Sequence, residues 1–155
     1  MNGPSVGQKC PHFSALDMEG QRVSDVDLRR DGALVLYFYP KDETPGCTAE
    51  ACAFRDDHEE FVAAGATVVG VSPDSPESHR AFVRNHEIPF RLLSDPNKEL
   101  FKLFGVTDTL GILPGRETFV IDANGVVQHR FRSQLFARKH VANALASLKK
   151  RKGEP

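Results

Sequence analysis

An α/β fold, with a central mixed sheet flanked by helices, is predicted by three observations in this 155-residue chain. First, Ala33-Leu34-Val35-Leu36-Tyr37-Phe38-Tyr39 and Ala66-Thr67-Val68-Val69-Gly70-Val71-Ser72 are nearly unbroken apolar, branched and aromatic runs, the pattern of strands covered on both faces. Second, Cys47 to Ala64 between them contains neither Pro nor Gly and reads as one helix. Strand, helix and strand at this spacing form a right-handed crossover that joins parallel strands. Third, Thr118 to Asp122 and Val126 to Phe131 are short apolar runs on either side of Ala123-Asn124-Gly125, and an Asn-Gly pair is a strong hairpin signal.

The remaining elements follow in order. Met1 to Asp31 carries Gly3, Pro4, Gly7 and Pro11, then Phe13-Ser14-Ala15-Leu16-Asp17 with alternating character and a Glu19-Gly20 turn. Short strands or a small hairpin on the sheet edge are expected there. Cys10, beside Pro11, is expected to behave as a small packed hydrophobe. Pro40 ends the first buried strand, and Lys41 to Gly46 is a polar loop rich in breakers. Thr44-Pro45 suits an N-cap and first helical position, which places Cys47 in the first helical turn. Ser75-Pro76 repeats that signal for a helix running to about Glu87. Pro89 to Asp95 reads as a short strand and turn. Asn97 to Phe104 reads as a helix closed by Gly105, and 109–115 as a loop rich in Gly and Pro. A last helix is expected over Lys139 to Lys150, where Val141, Leu145 and Leu148 recur at helical spacing, with 149–155 as a frayed tail. This order fits a thioredoxin-like sheet in a single domain, 1–155. In such a sheet the loop before the Cys47 helix and the loop before the Thr118 strand approach each other.

Composition removes several classes of function. A net charge of −1 gives no electrostatic reason to bind nucleic acid or an anionic membrane. Neither buried strand is followed by a Gly-rich fingerprint, so no nucleotide-type or other organic cofactor is expected. Three cysteines are too few for a secreted disulfide scaffold, and no stretch has the length of a signal peptide core or a membrane span. A cytoplasmic protein is expected. His58 stands eleven residues from Cys47, ~16 Å along a helix, too far to share a metal ion or act as its base. His12, His79, His86, His129 and His140 lie at no metal or protease spacing and are expected on the surface or in packing.

The chemistry gathers around Cys47. A thiol in a first helical turn meets free N–H groups and the positive end of the helix dipole, which favour thiolate. Lowering a Cys from about 8.5 to about 6 takes roughly 3.4 kcal/mol, whereas a helix end gives ~0.3–1 and at best ~2. A cation must supply the remainder, and Arg116, at the start of the Thr118 strand, is the candidate. Cys52 lies five residues on: ~7.5 Å of rise and ~140° of rotation put its Cα about 8.6 Å from that of Cys47. A disulfide rarely spans more than about 7 Å. Bond formation between them therefore requires the first turns to unwind, which suggests a redox cycle coupled to local unfolding.

These residues resemble those of a known family. Pro40, Thr44 and Cys47 stand in the Pro-x-x-x-Thr-x-x-Cys pattern of peroxiredoxins, and a second Cys five residues on is similar to the bacterioferritin comigratory protein, or peroxiredoxin Q, subfamily. Leu93-Ser94-Asp95-Pro96, Phe104-Gly105-Val106 and Arg116-Glu117-Thr118-Phe119-Val120-Ile121-Asp122 also resemble family segments in order and spacing. The resemblance implies a thiol peroxidase in which Cys47 reacts with hydrogen peroxide or an organic hydroperoxide and becomes sulfenic acid. It implies a Cys47–Cys52 disulfide, re-reduction by thioredoxin or glutaredoxin, and a monomer. Arg116 and Thr44 would be donors to sulfur and peroxide, and Pro40 an apolar shield. Glu50 is either a plain first-turn charge or the group that orients Arg116. Two other readings remain: a thioredoxin-type disulfide exchanger, which normally has two residues between its cysteines rather than four, and a copper or zinc module using Cys47, Cys52 and a histidine.

Overall fold

The computed structural model describes residues 3–106, 115–132 and 137–151. In chain order the elements are β1 (Ser14–Asp17), β2 (Arg22–Ser24), α1 (Asp25–Leu28), β3 (Ala33–Phe38), α2 (Pro45–Asp56), α3 (His58–Ala63) and β4 (Ala66–Ser72). There follow α4 (Pro76–His86), β5 (Arg91–Ser94), α5 (Glu99–Leu103), β6 (Glu117–Ile121), β7 (Val127–Arg132) and α6 (Ala137–Arg151). The strands form one sheet ordered β2-β1-β5-β4-β3-β6-β7. β3 pairs with β4 and β4 with β5 in parallel, while β1, β6 and β7 run antiparallel to their neighbours. The expected mixed sheet is present, with the expected hairpin of β1 and β2 at its edge.

The central strand explains the layering. Every residue of β3 is buried. Ala33, Val35 and Tyr37, with Tyr39 beyond the strand, join the core under α2, α3, α4 and α6, including Phe54, Phe61, Phe82 and Leu148. Leu34, Leu36 and Phe38 face the opposite core, with Leu28, Leu100, Phe101 and Phe104 of the α1 and α5 side. Two apolar faces are what an unalternating hydrophobic run implies. Gly70 is required where β4 passes Tyr37, because a Cβ there would lie 2.9 Å from Tyr37 Cζ and 2.8 Å from Leu92 Cδ2.

Three local expectations change. The helix expected from Cys47 to Ala64 is broken at Asp57, which closes α2 and opens α3 with φ −99° and ψ 10°. Asp56 and Asp57 are adjacent there, and Asp competes with its own backbone for hydrogen bonds and so weakens a helix interior. The β6–β7 hairpin forms, but Asp122 Oδ1 accepts from the N–H groups of Asn124 and Val126, and Gly125 takes φ +86°. Asn124 is not left-handed, so the connection is longer than the two-residue turn that an Asn-Gly pair suggests. α6 runs through Arg151, which carries the helix into the expected tail; 152–155 lie outside the described residues, as does 109–114 of the expected Gly- and Pro-rich loop.

Candidate active site

Cys47 takes its place from three consecutive local choices. β3 ends, Pro40 follows half-buried, and the loop 40–44 turns back to present Thr44 in an extended conformation, φ −89° and ψ 152°, with Pro45 at the first helical position. Cys47 thus sits in the first turn of α2, 1% exposed. The loop is fastened from beneath. Asp42 is buried and accepts hydrogen bonds from the Tyr39 hydroxyl (2.6 Å) and the Ser78 hydroxyl (2.8 Å), with His79 Nδ1 at 2.7 Å. His79 Nε2 lies 2.9 Å from the Leu93 carbonyl oxygen. The loop is also clasped from outside: Glu43, at φ +61°, accepts from Asn85 Nδ2 and lies 2.7 Å from His86 Nε2. At the far end of α2, Arg55 Nη1 donates to the His86 carbonyl.

Arg116 reaches this turn from just before β6, because β6 lies beside β3 with Glu117 opposite Phe38. Its side chain is buried at 5% exposure, with Nη2 3.4 Å from Cys47 Sγ and Nη1 2.5 Å from Glu50 Oε1. The fork geometry of guanidinium makes two simultaneous partners possible. Glu117, its neighbour in sequence, is engaged by Arg130 and by Arg132, so it does not compete for Arg116. Glu50 therefore takes the second of its two expected roles and holds the arginine.

Thr44 differs in detail from the expectation. Its side chain caps no helical N–H; instead Oγ1 donates to the Lys41 carbonyl at 2.8 Å. A hydroxyl has one proton, so Thr44 must rotate off Lys41 to donate toward sulfur or a bound peroxide. Cys52 is half-buried within the same unbroken α2 as Cys47, and both are free thiols. Cys10 is packed in the core at 7% exposure, as a small hydrophobe would be, and burial pushes its thiol up.

Electrostatics alter one expectation. Burial is the largest influence on Cys47 and pushes its thiol up; Arg116 is the foremost influence pulling it back toward thiolate. In this closed, reduced arrangement burial prevails, and the thiol lies above its ordinary value rather than below it. Burial likewise raises the fully buried Glu50 from 4.5 to about 7, against the pull of Arg116. A sum of helix end and cation omits this desolvation, which a sequence does not display.

His140, expected in packing or on the surface, is fully buried beside the site. Its Nδ1 is 2.6 Å from Thr118 Oγ1 and 3.6 Å from Glu50 Oε2, and its ring meets Phe131 edge-on at 4.8 Å. Nothing in the spacing could place residue 140 against residue 50. Among the described residues, one group has atoms close enough to hold a metal ion: Asp42, Asp74 and His79. Those atoms are engaged in hydrogen bonds with Tyr39, Ser78, Ser72 and the Asp42 N–H, and neither Cys47 nor Cys52 belongs to the group. Cavities of about 480 and 540 Å³ lie elsewhere, lined by residues such as Val62 and Phe90 or Phe13 and Leu100. Their size does not make them the site, since the reactive groups converge on Cys47. Among the described residues no helix is long and apolar enough to cross a membrane.

Comparison with known proteins is consistent in family and fold. Residues 6–130 match the AhpC/TSA family. The chloroplastic peroxiredoxin Q of Sedum lineare is 50% identical over 143 residues, covering 92% of this chain and 76% of the relative. That of Arabidopsis thaliana is 47% identical over 144 residues, covering 92% of this chain and 66% of the relative, so this chain spans about two thirds to three quarters of such relatives. Among solved structures, the peroxidoxin BcpB of Mycobacterium tuberculosis superposes with a TM-score of 0.89 at 36% identity, over 95% of this chain and 97% of the other. A peroxiredoxin Q of Xanthomonas campestris gives 0.81 at 34%, over 89% and 90%. The expectation of a cytoplasmic protein is overturned by these relatives, of which the curated plant proteins are chloroplastic. Few cysteines and near-neutral charge point to a reducing interior and cannot distinguish one such compartment from another.

Proposed function

Because the chain belongs to the AhpC/TSA family and is a peroxiredoxin, a thiol-dependent peroxidase, we propose that Cys47 is its peroxide-reactive sulfur and Cys52 the thiol that resolves the product. The observation that carries this reading is Arg116 Nη2 at 3.4 Å from Cys47 Sγ, in the first turn of α2. One guanidinium can steady both the thiolate and the charge that moves onto the departing oxygen.

The steps follow. The Cys47 thiolate attacks the terminal oxygen of a hydroperoxide; an S–O bond forms, the O–O bond breaks, and sulfur gives up two electrons. The leaving hydroxide or alkoxide takes a proton and departs as water or alcohol. Arg116 donates along the line of reacting atoms, Thr44 contributes its hydroxyl after turning from Lys41, and the Cys47 N–H adds a fixed donor. Pro40 has no N–H and shields the pocket from water. Cys47 sulfenic acid then condenses with the Cys52 thiol, releasing water and forming an intramolecular disulfide. α2 must open for this, because an intact helix holds the two residues too far apart. A dithiol protein, thioredoxin or glutaredoxin, exchanges with the disulfide and returns both thiols. The chain works as a single domain and a monomer.

The test is a peroxide assay coupled to a thioredoxin system on the parent, Cys47→Ser and Cys52→Ser proteins. Cys47→Ser should abolish turnover, whereas Cys52→Ser should consume one peroxide per chain and stall. Mapping the thiols after one equivalent of peroxide should give a Cys47–Cys52 link. A crosslink to Cys10 would remove Cys52 from its role, and faster reduction of insulin than of peroxide would favour a disulfide exchanger. Light scattering of the eluted protein at assay concentration checks the monomer.

A further inference from the structure

The reading of Cys47 as the reactive thiol leaves one buried feature unused. Glu50 Oε1 is held by Arg116, but Glu50 Oε2 is buried without a hydrogen-bond partner, and His140 Nδ1 faces it at 3.6 Å. Both side chains are 0% exposed. We propose that Glu50 and His140 together hold one proton in the reduced enzyme, a pair without net charge that leaves the charge of Arg116 to the Cys47 thiolate. His140 is thereby a positioning residue, acting through Glu50 and Arg116.

Charge balance and hydrogen bonding lead to the same result. A carboxylate oxygen that is bare in a dry interior is costly, and buried polar atoms are almost always partnered. His140 Nδ1 already meets Thr118 Oγ1 at 2.6 Å, so a proton shared across the pair serves Oε2, the orphaned atom, whether it is written on the carboxyl or on the imidazole, and a small rotation closes 3.6 Å to hydrogen-bond length. The macroscopic behaviour belongs to the pair rather than to either member. Without that proton, one guanidinium faces two anions, Glu50 through Nη1 and Cys47 through Nη2. With it, the cation and the thiolate balance. Burial raises Glu50 to about 7, so a proton is held in the neutral range.

The surroundings suit this role. Among the described residues Glu50 is faced by Arg116 from the segment before β6, by Cys47 on its own helix and by Tyr37 of β3. Tyr37 is itself buried, and burial pushes its hydroxyl well above the ordinary range, so it adds no charge. The contacts of His140 include Thr118 of β6, whose hydroxyl can accept from Nδ1–H or donate to bare Nδ1, and the Phe131 ring of β7.

The experiment follows the ionisation of Cys47 directly, through the pH dependence of its alkylation by iodoacetamide in a reduced Cys52→Ser protein, with the modified residue located by peptide mass. His140→Phe and His140→Gln should each raise the midpoint by roughly one pH unit, a tenfold loss of thiolate at a fixed pH below it. Glu50→Gln, neutral at every pH, removes the carboxylate through which His140 acts, so adding His140→Phe to it should produce no further rise. Circular dichroism identifies an unfolded His140→Phe protein, in which case His140→Gln carries the comparison. Midpoints unmoved by the folded His140 variants, or an equal rise in the Glu50→Gln background, would overturn the proposal. Alkylation on Cys10 in place of Cys47 would instead overturn the reading of Cys47, so the two failures are distinct.

Discussion

Arg116→Met removes the cation while keeping an unbranched apolar chain of similar reach, and its consequences can be worked out from the site. A unit charge about 4 Å from another contributes about 4 kcal/mol at an effective dielectric of 20. Cys47 and Arg116 are 1% and 5% exposed, so bulk water screens little of it. Water entering the space the guanidinium leaves, and the first-turn N–H groups of α2, return part of the loss. About half should remain, ~2 kcal/mol or about 1.5 pK units, which reduces the thiolate roughly thirtyfold near neutrality. Loss of the donor to the moving charge adds a separate factor of roughly a hundred, within the range for a single transition-state donor. The expected second-order rate constant with hydrogen peroxide, measured by stopped flow in single turnover, is therefore roughly three thousand times lower at pH 7. Ionisation is complete in both proteins at high pH, so the gap should narrow there to about a hundredfold. Arg116→Lys should fall between them, because an ammonium keeps the charge without the fork. A loss under tenfold at pH 7, or a gap that does not change with pH, would falsify the electrostatic account of this arginine.

Three further outcomes follow from nearby geometry. Gly46→Ala would place a Cβ 3.0 Å from Arg116 Nη2. It should slow peroxide reduction about tenfold while stability holds or rises slightly, because Ala favours a helix over Gly; a full-speed variant would mean that Arg116 has room to spare. Glu50 has a folded value of about 7 against an ordinary 4.5, so folding favours its protonated form. Its contribution to stability is complete below about 4.5 and is lost as pH rises through about 7, by about 3 kcal/mol. Glu50→Gln should flatten the urea-unfolding profile between pH 5 and 8, and an unchanged slope would contradict the shift. Gly70→Ala would press on the Tyr37 ring and Leu92 in a filled core and should cost about 1–3 kcal/mol in denaturant midpoint, with overpacking excluded if it costs nothing.

What the sequence disclosed depended on the range of the interaction. β3, β4, the cap at Ser75-Pro76 and the turn that bears Cys47 are local and were legible from residue type and period. Arg116 was legible from the resemblance of its segment to the family and from a strand able to lie beside the one leading to Cys47. Glu50 remained undecided between two roles, since its partner is 66 residues away and no pattern in α2 distinguishes an inward carboxylate from an outward one. His140 was not found, because helical spacing marks Val141 and Leu145 as core without saying what the neighbouring face touches. Asp42 looked like a turn residue, and its burial against His79 rests on the packing of α4 over the loop. The depressed thiol was expected from the attractive effects alone, whereas burial is a property of the finished fold.

The two fastenings of α2 bear on how the enzyme resets. Glu43 ahead of the helix is moored to Asn85 and His86 of α4, and Arg55 near its end to the His86 carbonyl, just before the break at Asp57. If Cys52 resolves Cys47 as proposed, the stretch that must uncoil lies between these two moorings, about a dozen residues apart. Re-forming a helix of this length takes on the order of 0.1–1 μs. On the proposed cycle, rewinding after each reduction would be a brief local recoil and would not limit turnover.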